Sequence, residues 1–101
     1  MRKYSFLRGP LEASRRLGDV LSMVASEFGF NLYSLEFAFS SSEVRTMEYE
    51  PAPDRGHAPQ ARISARIHEG STRNVEMCFT GVSDEVVRGI VERIEDLRGE
   101  K

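Results

Sequence analysis

The chain has 101 residues, 40% of them hydrophobic and 30% charged, with a net charge of −2. That size predicts one domain around one core, and the composition excludes both a disordered chain and a broadly basic nucleic-acid binder. No apolar run reaches the roughly 18 residues of a membrane helix, and Arg8, Glu12, Arg15 and Arg16 interrupt the N-terminal segment where a secretory signal needs unbroken apolar residues. Cys78 is the single cysteine, so no internal disulfide can form, and a cytoplasmic location is expected.

Residues 3–7, KYSFL, suggest a short edge strand. From 10 to 28, Ala13, Leu17, Val20, Leu21, Val24 and Phe28 recur at spacings of three and four, which predicts a helix with one apolar face. Pro10 suits its first turn and Gly29 its left-handed C′ position, with Phe30 folding back on the last turn. In NLYSLEFAFS, Tyr33, Leu35, Phe37 and Phe39 alternate with Ser34, Glu36 and Ala38, as in a strand with one buried face. A weaker strand follows in SSEVRTMEYE, with Met47 and Tyr49 rather than Val44 expected to point inward.

Residues 50–60, EPAPDRGHAPQ, hold three of the four prolines. They read as a long hairpin-type connection, expected to stand out from the sheet as a contact element or a disordered spacer that can be deleted without loss of the fold. Beyond it, Ala61, Ile63, Ala65 and Ile67 alternate with Arg62, Ser64, Arg66 and His68. Val75, Met77 and Phe79 then alternate with Asn74, Glu76, Cys78 and Thr80. Matching these two apolar sets in a bulge-free hairpin requires paired residue numbers with an even sum, hence an odd-length loop around Gly70. One such register sets Arg66 opposite Glu76 and Cys78 opposite Ser64. The last segment, SDEVVRGIVERIEDLRG, has Ser83 as N-cap, Asp84 and Glu85 at the positive helix start, and Val86, Val87, Ile90, Val91, Ile94 and Leu97 as an apolar stripe before Gly99.

These elements define a single α+β domain over residues 1–101, in the order (β)αββββα. An antiparallel sheet of four strands, five with the N-terminal one, carries both helices on one face. The other face, with Glu36, Arg62, Arg66, His68, Glu76 and Cys78, is left for solvent or a partner. Gly18 and Gly89 inside the helices mark either close approach to another surface or tolerated helix weakening, each at about 1 kcal/mol relative to alanine.

Residues 1–20 carry five cations against two acids, and residues 82–101 four bases against six acids. Arg15 and Arg16, however, have Glu12 and Asp19 at helical spacings that neutralise them. On the open sheet face, Arg62, Arg66 and His68 share space with Glu36 and Glu76, and Tyr33, Phe37, Phe39 and Phe79 fall on the core-facing parity. A base-stacking platform is therefore not expected, and cross-strand ion pairing is the expected role of the two arginines. His57, His68 and Cys78 match no zinc spacing, and the hairpin register separates His68 from Cys78 by roughly 13 Å. Asp54, Arg55 and His57, with a serine of 40–42 as nucleophile, would need positioning that a Pro/Gly loop does not supply. No glycine-rich phosphate loop, GxSxG elbow or HExxH helix is present.

The sequence thus predicts no catalytic, cofactor or metal site. The expected function is that of a non-enzymatic protein-binding or self-associating module, a homodimer in its simplest form, acting through a sheet edge or the open face. Its candidate contacts are Arg62, Arg66, His68, Glu76, Asp54, Arg55 and His57. Exposure of the terminal strands as edges assumes a simple meander. The alternative is a nucleic-acid-binding domain using Arg2, Lys3, Arg8, Arg15 and Arg16, by analogy of element order alone with double-stranded-RNA-binding domains.

Overall fold

The structure, a computed structural model, describes residues 1–39, 43–70 and 72–99, excepting the side chains of residues 38 and 39. The serines at 40–42 and the side chain of Phe39, both weighed above, lie outside the described residues. The elements run β1 (Arg2–Leu7), α1 (Ser14–Glu27), β2 (Phe30–Phe39), β3 (Glu43–Pro51), β4 (Arg62–His68), β5 (Asn74–Thr80) and α2 (Asp84–Leu97). They build an antiparallel five-stranded sheet in the order β1-β5-β4-β3-β2, an α+β fold in which β2 to β5 form a meander and β1 returns beside β5.

Alternation on the central strands places the core. Met47, Tyr49, Ile63, Ala65, Ile67, Val75, Met77 and Phe79 stand on one sheet face and join Leu17, Leu21, Val24 and Ala25 of α1 and Val87, Ile90 and Ile94 of α2 in a single buried cluster. Both helices therefore cover the same face. The β4–β5 hairpin has the even-sum register, with Arg66 opposite Glu76 and Ser64 opposite Cys78. Tyr49 is fully buried, and its phenol meets Ser22 Oγ of α1 at 2.8 Å. Burial pushes that phenol up to about 12 from an ordinary 10.0, partly opposed by the Ser22 bond.

The helix ends follow the local chemistry. Ser83 Oγ accepts the Val86 N–H at 3.3 Å, with Asp84 and Glu85 in the first turn. Gly29 (φ 86°) and Gly99 (φ 76°) adopt the left-handed conformation that stops each helix.

The start of α1 departs from expectation. Pro10 belongs instead to a turn closed by the Glu12 N–H on the Gly9 carbonyl at 3.1 Å, where its fixed φ suits the second position. Glu12 consequently lies ahead of the helix and does not neutralise Arg15 and Arg16. Its carboxylate takes Arg98 in a two-pronged pair at 2.9 and 3.0 Å and the Gly9 N–H at 3.0 Å. The Arg98 guanidinium holds this carboxyl below its usual range against the opposing effect of burial. Arg98 also reaches the Leu7 carbonyl and covers the Phe6 ring at 4.0 Å, tying the end of α2 to β1.

The two internal glycines serve close approach within the chain. A methyl on Gly18 would meet Met47 Sδ at 3.4 Å, and one on Gly89 would lie 2.6 Å from Cε2 of Phe28 at the end of α1. Gly18 thus lets helix meet sheet, and Gly89 lets helix meet helix.

Candidate interaction surface

The 50–60 loop does not stand off. Ala52 N–H bonds the Gly29 carbonyl at 2.8 Å, and the Arg55 guanidinium reaches the Glu27 carbonyl at 3.2 Å. His57 Nε2–H donates to the Phe28 carbonyl at 2.7 Å, with its ring 4.2 Å from that of Phe30. The last carbonyls of α1 need donors and form the negative end of the helix, so the loop acts as a cap on α1. Asp54 and Gly56 take positive φ values of 61° and 80° to turn the chain back. Asp54 remains exposed on the rim of an open depression of about 390 Å³, which Arg62 also lines.

On the sheet face away from the helices, Arg66 is exposed opposite Glu76, yet the Glu76 carboxylate meets the diagonal neighbour His68, Oε1 to Nε2 3.2 Å. Arg62 donates to the Pro59 and Ala61 carbonyls at 2.9 and 2.7 Å. Among the described residues neither arginine pairs with a carboxylate, in contrast to the expected cross-strand ion pairs. Cys78 is half-buried on this face. No cluster of three metal-ligating side chains occurs among the described residues, and none of their helices is long and apolar enough to cross a membrane.

The basic residues of the N-terminal half do not form one patch. Arg2 pairs with Asp84 beside the start of α2. Lys3 stands opposite Cys78 on the open face. Arg8, about 20 Å along from Arg2 by strand rise, donates to the carbonyls of Glu12 and His68. Arg15 and Arg16 are exposed on α1.

The sheet has two terminal strands of different character. β1 carries Arg2 and Lys3, charged side chains of the kind that discourage strand addition, and is six residues long. β2 is ten residues long with a single charge, Glu36. Its alternation breaks, because the pairing with β3 shifts between Leu32 and Ser34 and leaves Tyr33 as an extra residue. Such a bulge puts two successive side chains on one face. Tyr33 accordingly lies on the open face, its hydroxyl 3.3 Å from Glu48 Oε2 and its ring beside Arg62, which corrects its expected inward position. Leu32 and Leu35 stand opposite Tyr49 and Met47 on the helix side, but the helices do not cover them.

Leu32, Tyr33 and Leu35 keep 43, 48 and 55% of their surface exposed. The other exposed large apolar residues among the described ones are dispersed: Met1 precedes β1, Leu7 is on the open face of β1, Leu11 in a turn, Met23 on α1 and Leu97 at the end of α2. Single apolar residues of that kind are ordinary on a protein surface, whereas three within four positions of one strand edge are a feature. The signal was present in the sequence: Phe30 and Leu32 are even-numbered, Leu35 and Phe37 odd, so apolar parity switches within LYSL. Comparison with known proteins gave no matching family model, no matching curated protein and no matching solved structure.

Proposed function

We propose that this chain is a non-enzymatic module that associates with itself through the edge of β2. The observation that carries this reading is a nearly uncharged terminal strand with Leu32 and Leu35 exposed on its helix side and Tyr33 exposed on its open face. A terminal strand offers a row of backbone donors and acceptors, and an added strand satisfies them while its side chains cover the apolar ones. The groups that first suggested catalysis support the same reading, since Arg55 and His57 are engaged with helix carbonyls.

Sedimentation velocity over a concentration series tests the proposal. The native chain should shift from monomer towards dimer. Leu35→Lys should remain monomeric, with association at least about tenfold weaker, a change that corresponds to about 1.4 kcal/mol. Because Leu35 is more than half exposed, its thermal midpoint should barely move. A native chain that stays monomeric at near-millimolar concentration would refute the reading.

A further inference from the structure

We infer that two copies pair β2 against β2 in antiparallel fashion about a twofold axis lying between Tyr33 and Ser34, with Leu32 of one copy opposite Leu35 of the other. This rests on the proposed self-association and adds its geometry. In a twofold antiparallel pair, opposite residues have numbers of constant sum and must point to the same sheet face. Faces alternate along a regular strand, so only even sums are allowed and one residue meets its own copy. The bulge changes this rule for β2.

On the helix side lie Phe30 and Leu32 before the bulge and Leu35 and Phe37 after it, while Asn31, Tyr33, Ser34 and Glu36 lie on the open side. A pairing that spans both halves of the strand must keep all of these on matching faces. A sum of 67 does so: 30 meets 37, 31 meets 36, 32 meets 35, and 33 meets 34. Neighbouring sums fail at once: 66 sets Leu32 against Ser34, and 68 sets Tyr33 against Leu35. Both bulges then fall at the axis, so the two strands advance by equal numbers of residues between successive pairs.

The chemistry of this register is self-complementary. Each exposed leucine is covered by the other, on the same side as the helices. On the open face Tyr33 meets Ser34, and the Glu36 carboxylate meets the side-chain amide of Asn31. A register confined to the second half, centred on residue 36, would instead oppose two Glu36 carboxylates, a destabilising arrangement. The two five-stranded sheets become one continuous sheet with β1 at both outer edges.

A mixed-disulfide experiment in a Cys78→Ser background tests the register. Directly opposite Cα atoms are about 4.5–5.5 Å apart, within disulfide reach. Leu32 and its own copy would be offset by roughly 10 Å along the strand. Oxidising Leu32→Cys mixed with Leu35→Cys should give at least about tenfold more cross-linked dimer than either variant alone. Asn31→Cys mixed with Glu36→Cys should do the same through the open face, where each residue is offset from its own copy by roughly 16 Å, so loss of one leucine contact does not leave the register unexamined. Light scattering on the unoxidised chains separates the failures. A dimer without preferential cross-linking in both mixtures would overturn the register alone, and a monomeric native chain would overturn the self-association on which it rests.

Discussion

Gly89 has its position for a packing reason that helix propensity cannot reveal. A methyl there would lie 2.6 Å from the Phe28 ring, closer than carbon atoms approach. Gly89→Ala gains about 1 kcal/mol of helix propensity but incurs roughly 1–3 kcal/mol of overpacking, for an expected net loss of about 1 kcal/mol. Removing the ring should reverse the sign: in a Phe28→Ala background Gly89→Ala should stabilise, as read from urea unfolding midpoints. Tyr49 makes the second prediction at this scale. Its phenol is raised in the fold to about 12 from 10.0, so the unfolded chain loses that proton first as pH rises. The associated stability is fully present below pH 10 and is lost as pH rises towards about 12. Thermal unfolding should show this alkaline loss, and Tyr49→Phe should diminish it. An unchanged alkaline profile in the variant would assign the loss to other groups.

At the scale of elements, helices and central strands were legible because each has one buried face and a clear period. α2 shows this best, from Ser83 through its apolar stripe to Gly99. β4 and β5 likewise fixed their own register through matched alternation and the odd loop at Gly70. Three features were not legible for physical reasons. The start of α1 was displaced because Pro10 and Glu12 fit a turn and a tertiary pair with Arg98 as well as they fit a helix. The β2 bulge was hidden because Tyr33 is apolar enough to continue the odd series. The 50–60 loop was misread because its role depends on α1, a distant segment whose carbonyls Arg55 and His57 cap. His57→Ala should therefore lower stability by about 1–2 kcal/mol through loss of a hydrogen bond and a ring contact, with a smaller loss for the more exposed Arg55→Ala. Unchanged unfolding midpoints for both would mean the loop contributes nothing to the cap.

At the scale of the molecule, the strand order decides which backbone is left open, and local pattern does not encode that order. β1, anticipated at residues 3–7 as a short edge strand, closes the β5 side with Arg2 and Lys3 near its start. Its return leaves β2 as the long terminal strand. Of the candidate contacts chosen for charge, Arg62 bonds the nearby Pro59 and Ala61 carbonyls and His57 the distant Phe28 carbonyl, while the exposed apolar edge emerged only from pairing and coverage together. The central claim is that this edge is where copies of the chain meet. Hydrogen exchange followed residue by residue at low-micromolar and near-millimolar protein tests it most directly, because pairing protects amides that are open in the monomer. The account predicts concentration-dependent protection confined to residues 30–37. Protection that is independent of concentration, or that rises instead along β1 or the open sheet face, would contradict it.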